Sequence, residues 1–133
     1  MNLDSLRAFC LSLPHVGEKL QWGDHILFTI GGRMFCISTL EPTGPTKLSF
    51  KCTPDTFAEL VERPDIIPAP YMARNYWVSL TEWDAIPTPE LRTLIHDSYN
   101  LVASKLPKRL RTQLGLADSS TPPTGQAKIE SAR

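Results

Sequence analysis

The sequence predicts one α+β domain over residues 1–116, an antiparallel β-sheet meander with helices packed on one face. Two observations indicate this class. Apolar, β-branched runs are grouped between residues 20 and 52 instead of alternating with helices, and apolar residues at helical spacing occur before and after this group. A third observation sets the boundary. Residues 117–133 contain almost no large apolar side chains, so we expect a disordered tail.

The first helix is predicted near the start of the chain. Asn2 or Asp4 can cap it, and Pro14 ends it. Between these residues, apolar side chains recur at three- and four-residue spacing: Leu3, Leu6, Phe9, Cys10 and Leu13. Residues 15–19 are largely polar, and we interpret them as a turn.

Four strands are predicted next, at residues 20–22, 26–30, 34–40 and 47–52. The pair Gly31-Gly32 indicates a hairpin, because glycine readily adopts the positive φ that a tight turn needs. Residues 41–45 are interpreted as a second, looser turn. Apolar and polar residues alternate in the last of these strands, so we expect one buried face and one wetter face.

The second half of the domain is predicted to contain two further helices and one strand. Thr53 is a suitable N-cap and Pro54 suits the first helical position. We expect an irregular or extended loop at residues 66–70, because they contain two prolines, and a strand at the aromatic residues 75–80. The longest helix begins at residues 87–90 and ends before Pro107, with one or two further turns at residues 108–114.

Charge is unevenly distributed although the chain has no formal net charge. Residues 1–104 contain 8 Lys or Arg and 12 Asp or Glu, a net charge of −4, whereas residues 105–116 contain 4 cations and no acid, a net charge of +4. The acidic body argues against a grip on phosphates over the whole surface, which is typical of nucleic-acid-binding proteins.

The cysteines and the hydropathy pattern indicate a cytoplasmic protein. Cys10, Cys36 and Cys52 fit neither a disulfide framework nor a metal knuckle, and reduced thiols are typical of intracellular proteins. We see no signal peptide and no run of about 18 apolar residues, so we expect no membrane partner.

The sequence contains no recognisable active-site motif. His15, His25 and His96 lack the spacing of metal-ligating pairs, so we predict no metal site. The Gly31-Gly32 pair is followed by neither the lysine of a phosphate loop nor the glycines of a dinucleotide fold, so we predict no cofactor. We assign no catalytic residue.

Aromatic side chains offer one candidate binding site. Trp22 lies near the first hairpin, and Tyr71, Tyr76 and Trp77 surround Arg74 before the last strand. Aromatic residues interleaved with a cation can stack on bases or on another flat ligand. Core packing is the alternative, and it is the commoner use of aromatic residues in a small domain.

A basic cluster after the longest predicted helix offers a second candidate: Lys105, Lys108, Arg109 and Arg111. Cations near the carboxyl end of a helix stabilise it on their own account, so a solubilising terminus explains the cluster as well as phosphate contact does. Four charges on one short segment would give weak, salt-sensitive binding.

Three stretches of the chain resemble the MmcQ/YjbR family of small bacterial proteins. They are residues 48–52 (LSFKC) followed by Pro54, residues 68–78 (PAPYMARNYWV), and residues 97–102 (DSYNLV) leading into residues 105–109 (KLPKR). Residues 13–18 and Trp22 also fit, so the resemblance extends from residue 4 to about residue 111.

The resemblance implies a CyaY-like α+β fold and a DNA-binding role in which hairpins act as wings. Many family members have His-Met-Asn-Lys-Lys-His-Trp in the second stretch, where residues 71–77 here are Tyr-Met-Ala-Arg-Asn-Tyr-Trp. Two histidines and one lysine of that pattern are therefore replaced, and Arg74 keeps one positive charge.

We therefore expect a non-enzymatic binding protein whose partner is DNA or another nucleic acid. Its expected contacts are Lys51, Arg74, Tyr76, Lys105, Lys108, Arg109 and Arg111. Two alternatives stay open. One is a small-ligand binder or an enzyme with an aromatic pocket formed by Trp22, Tyr71 and Trp77. The other is a protein-interaction module that pairs through a sheet face or a strand edge.

Overall fold

The computed structural model describes residues 1–40 and 44–116. Its elements in chain order are α1 (Leu3–Ser12), β1 (Val16–Gln21), β2 (His25–Ile30), β3 (Arg33–Thr39), β4 (Leu48–Lys51), α2 (Pro54–Leu60), β5 (Ile66–Pro68), a 3₁₀ helix (Ala73–Asn75), β6 (Trp77–Leu80), α3 (Thr88–Ser104) and α4 (Lys108–Leu114). The α+β class predicted from the sequence is confirmed.

All strands of the described residues form one six-stranded sheet in the order β1-β2-β3-β4-β6-β5. Each neighbouring pair is antiparallel, so the first four strands are the predicted meander. The last strand, β6, pairs with β4, and β5 lies outside it at the edge.

The turn between β2 and β3 is the predicted Gly-Gly hairpin. Gly31 and Gly32 have φ values of +59° and +82°, a region that side chains other than glycine rarely adopt. A β-bulge follows, because Phe28 pairs with Cys36 whereas Thr29 pairs with Met34. Phe35 is the extra residue, and both Phe35 and Cys36 lie in the main core.

The main core lies between the sheet and the helices. Phe28, Phe50 and Val78 face it from three strands and are completely buried, as are Leu91 and Ile95 of α3. Burying one such side chain contributes roughly 1.5–3 kcal/mol. The hydrophobic core is therefore formed where the helices pack on one face of the sheet, as predicted.

A smaller cluster covers part of the opposite face, which we call the open face. Leu27 and Ile37 contribute to it from the sheet, together with Trp77 at the start of β6 and Ala69 from the loop after β5. Since Trp77 is 5% exposed, the loop shields part of a face that the alternation in β4 predicted to be wetter.

Two loop predictions missed paired strands. Residues 16–19, interpreted as a turn, belong to β1, and residues 66–68, interpreted as an irregular or extended loop, form β5. Both are edge strands. No residue of β1 is buried, so it lacks apolar alternation. Pro68 is tolerated in β5 because an edge strand leaves one side of its backbone unpaired.

The helix boundaries follow the sequence signals. Asn2 caps α1 in a capping box with Ser5, and Thr53 caps α2 with Pro54 in the first turn. α3 starts and stops where the prolines indicated, and α4 supplies the expected further turns. The predicted turn at residues 41–43 and the predicted tail at residues 117–133 lie outside the described residues.

In the part of the chain that the structure describes, no helix is both long and apolar enough to cross a bilayer.

The two hairpin glycines offer a matched stability test. A methyl group on Gly31 would lie 2.7 Å from Leu106 Cδ1, whereas one on Gly32 would meet nothing within 4 Å. Gly32→Ala should lower the free energy of unfolding only by the cost of a left-handed backbone at alanine, roughly 1–2 kcal/mol. Gly31→Ala should lower the free energy of unfolding by that amount plus roughly 1–3 kcal/mol, because the methyl group would be overpacked against Leu106 and Leu110.

Urea unfolding followed by circular dichroism would measure both free energies of unfolding. Equal losses in the two variants would show that the turn and the residues after α3 are not tightly packed.

Candidate functional site

Cations converge at one end of the sheet, which we call the basic end. Arg33 opens β3 and Lys51 closes β4. Because β3 and β4 are antiparallel, with Cys36 opposite Phe50, these two residues lie at the same end. The sheet register therefore brings together two charges that are 18 residues apart in sequence.

The segment that carries Arg74 is tied to this end. Lys51 Nζ donates a hydrogen bond to the Asn75 carbonyl at 2.9 Å, and the Cys52 amide donates to the Tyr76 carbonyl at 2.9 Å. These contacts fix the 3₁₀ helix beside the end of β4. Arg74 itself is exposed.

The helical layer reaches the same end. Ser98 Oγ of α3 donates a hydrogen bond to the Lys51 carbonyl, which sets the helix over the end of β4. Further along, Leu106 and Leu110 lie against Gly31 in the β2–β3 turn. The remaining cations are therefore at the basic end as well: Lys105, Lys108, Arg109 and Arg111.

The basic end contains more positive charge than its neighbouring carboxylates neutralise. Partial burial lowers the pKa of the Lys51 ammonium, and the positive charge of Lys105 lowers this pKa further. No carboxylate of the described residues forms an ion pair with Arg33, Lys51, Arg74, Lys105, Lys108 or Arg109. An external anion would relieve the repulsion between Lys51 and Lys105.

Helix stabilisation does not account for two cations of α4. Lys108 and Arg109 occupy the first turn of α4, where the helix dipole favours acidic residues. Lys105, at the carboxyl end of α3, and Arg111, in the last turn of α4, do fit the explanation considered from the sequence. Arg111 Nε donates to the Leu106 carbonyl at 3.0 Å, so part of its role is to hold the connection between the helices.

Sequence reasoning missed Arg33. The sequence did contain a signal for it. Arg33 follows the Gly-Gly turn, and in an antiparallel meander β4 must end beside that turn, which places Lys51 near Arg33. Tyr76, which had been selected, is 41% exposed and its ring packs edge-on against Phe57 at 5.7 Å. Tyr76 lies beside the basic end because its carbonyl accepts hydrogen bonds from the amide and the thiol of Cys52.

The open face contains a cavity of about 560 Å³. Ile37, Ser49 and Ser79, which are neighbours across β3, β4 and β6, are among its lining residues. Tyr71 and Met72 line it from the loop after β5. This volume lies within the range of small-molecule sites, which are mostly apolar with a few placed polar groups.

Two serines are among the polar residues that line the cavity. Ser49 Oγ lies 2.6 Å from Ser79 Oγ, and each side chain is almost fully buried. A hydroxyl has one donor and two acceptor positions, so the pair uses one O–H and keeps the other. The cavity therefore offers both a donor and acceptors.

The predicted aromatic trio is divided by the structure. Trp22 and Tyr71 line the cavity and are 61% and fully exposed, whereas Trp77 is buried in the smaller cluster and is not among the lining residues. His25 also lines the cavity, with its ring edge-on to Trp22 at 5.8 Å. His25 Nδ1 lies 2.9 Å from Asp24 Oδ1 without the alignment of a hydrogen bond.

The cysteines give no sign of an activated nucleophile. Burial raises the pKa of the Cys52 thiol to about 11 and also raises the pKa of the Cys36 thiol. Because the thiolate is the reactive form, both groups are unreactive at neutral pH. Among the described residues, no group of three or more His, Cys, Asp or Glu side chains could hold a metal ion.

Sequence comparison finds two matches. The sequence model of the YjbR family matches residues 11–101. An uncharacterized protein, YbdF of Escherichia coli O157:H7, is 32% identical over 108 residues, which cover 80% of this chain and 88% of that protein.

Solved structures show the same fold. The crystal structure of Deinococcus radiodurans protein DR2400, a DUF419 domain, matches with a TM-score of 0.76 and 31% identity over 89% of this chain and 91% of that one. A protein from Pseudomonas syringae matches with a TM-score of 0.64 over 77% of this chain and 99% of that one. Its identity is 18%, so that likeness concerns the fold alone.

The serine pair can be tested by a double-mutant cycle. Ser49→Ala leaves the Ser79 hydroxyl buried without its partner, and we expect a loss of about 1–3 kcal/mol. Because both single variants remove the same contact, Ser49→Ala/Ser79→Ala should lose clearly less than the sum of the two single losses.

Ser49→Ala combined with Ser12→Ala, an exposed position in α1, is the control and should be additive within about 0.5 kcal/mol. Thermal and urea unfolding would supply the values. Additive behaviour of the Ser49 and Ser79 changes would contradict the contact.

Proposed function

The chain belongs to the YjbR family, and from this premise we propose that it binds nucleic acid through its basic end. One observation carries the proposal. Three separate parts of the chain, the β2–β3 turn, the β4–β6 end and the α3–α4 connection, bring their cations to one place. Phosphate groups are the ligands that such a surface favours.

The exposed arginines of the basic end support phosphate as their partner. Arg33 and Arg74 are exposed, and neither forms an ion pair with a described carboxylate. Outside the basic end, Arg7 is bidentate to Glu18 and Arg63 is held by Glu59 and Glu90, whereas the exposed Arg92 forms no ion pair with a described carboxylate. The proximity of Arg33 and Arg74 to other cations is therefore what favours an external anion at the basic end.

The acidic remainder of the domain supports an oriented contact. Residues 1–104 have a net charge of −4, so a polyanion approaching any other surface would be repelled. We infer that nucleic acid meets the domain end-on, at the β2–β3 turn and the α3–α4 connection, with few phosphates contacted at once.

This geometry uses one hairpin as a wing. The β2–β3 turn is at the basic end, next to Arg33, whereas the β1–β2 turn is at the other end of the strands and contains Asp24. The paired wings implied by the family resemblance would need two basic hairpin tips. We therefore assign the wing contact to the β2–β3 turn alone.

Binding should depend steeply on salt. For about four phosphate contacts on duplex DNA, we expect roughly 100-fold weaker affinity at 200 mM than at 50 mM salt, because counterion release drives the association. Fluorescence anisotropy of a labelled 20-base-pair duplex would measure both affinities. Absence of binding at 50 mM salt with micromolar protein would end the proposal.

Charge variants should identify the surface. Arg74→Ala/Lys105→Ala removes two cations from the basic end, and we expect the salt slope to fall in magnitude by about 2. Lys19→Ala/Arg92→Ala is the matched control, because both residues are exposed cations on other elements. Equal effects in the two double variants would show that binding follows net charge and not the basic end.

A further inference from the structure

We propose that the open-face cavity is a binding site for an unpaired nucleobase. This inference deepens the function proposed above and rests on it where the base belongs to a nucleic-acid strand. The base could come from a free nucleotide or from a single strand, since both present the same flat ring and the same hydrogen-bonding edge.

Two exposed aromatic side chains line the cavity. Trp22 is 61% exposed and Tyr71 is completely exposed, although both residues have large apolar rings. Their φ values are +55° and +66°, in the left-handed region that residues other than glycine rarely adopt. Strained backbone is often retained where it serves binding, and here it holds two stacking rings at a cavity.

The loop that presents Tyr71 is firmly held. The Ala69 amide donates to the Trp77 carbonyl at 3.0 Å, and the Met72 amide donates to the Ala69 carbonyl at 3.1 Å. Met72 also packs against the smaller cluster. These contacts hold the backbone on which the exposed Tyr71 ring stands, which limits the backbone entropy lost on binding.

The lining matches a heteroaromatic ring better than an aliphatic chain. Met34, Met72 and Ile37 supply apolar walls, and thioethers make favourable contacts with aromatic rings. Ser49 and Ser79 add a hydroxyl pair with a spare donor and several acceptor positions. A nucleobase has both a π-face and an edge that mixes donors with acceptors.

The cavity extends along the open face from the β1–β2 end, where Trp22 lies, toward the basic end, which it approaches along two chain segments. Met34 lines the cavity and follows Arg33, while Met72 lines it two residues before Arg74. A strand whose phosphates contact the two arginines would have its bases beside the cavity. Bases paired in a duplex are stacked and closed to such a site, so the cavity favours single strands.

An abasic oligonucleotide tests the inference directly. We expect a 12-nucleotide single strand to bind about tenfold more tightly, at 100 mM salt, than the same backbone with every base removed, because base stacking adds to phosphate contact. Anisotropy of the labelled strands would give both affinities. Equal affinities would show that no base of the strand occupies the cavity, while leaving phosphate binding at the basic end intact.

Variants at the cavity supply the second arm. Trp22→Ala and Tyr71→Ala alter exposed rings, so folding should survive, and each should lower affinity for the normal strand toward the abasic value. Affinity for the abasic strand should not change. Leu11→Ala is the control, because Leu11 is an exposed large apolar residue of α1 that does not line the cavity.

Free nucleotides separate the two sources of the base. Nucleoside monophosphates of the four DNA bases would be titrated while tryptophan fluorescence is followed, in the unaltered protein and in Tyr71→Ala. Monophosphate binding that Tyr71→Ala weakens, without oligonucleotide binding, would support the base site and overturn the proposed function. If base-dependent strand binding and monophosphate binding are both absent, the base site is overturned.

Discussion

The register of the central strands is the constraint on which the rest of the structure depends. Phe28, Cys36, Phe50 and Val78 form a row across β2, β3, β4 and β6, and all four are completely buried beneath the helices. Because side chains alternate along a strand, the residues next to this row in sequence point toward the open face. A slip by one residue would expose the row and bury the polar residues beside it, so packing against α3 fixes both faces at once.

Local signals predicted much of the fold. The Gly31-Gly32 turn, the caps at Asn2 and Thr53, and the core-facing side of β4 with Leu48 and Phe50 each depend on residues close together in sequence, and the structure has all of them. The edge strands escaped prediction for a physical reason. β1 buries no side chain and β5 contains a proline, so neither carries the apolar alternation by which strands are predicted.

The candidate sites were less predictable because they depend on pairing between distant segments. The basic cluster after α3 could be read from composition, but its proximity to Lys51 and Arg33 follows from strand register and from the packing of Leu106 on Gly31. The same limit applies to Trp77. Its ring is buried because the loop after β5 folds back over the open face, a contact that no periodicity in residues 66–77 indicates.

The two faces of the sheet divide the physical tasks between them. The helix-covered face supplies stability, which leaves the open face free to keep a cavity, a buried hydroxyl pair and two exposed rings that a stability requirement alone would not retain. Charge lies at the end where both layers meet, because only there do the β2–β3 turn, β4 and the α3–α4 connection approach one another. Phosphates can therefore be attracted at that end by long-range charge, and bases can be recognised on the open face by short-range contact.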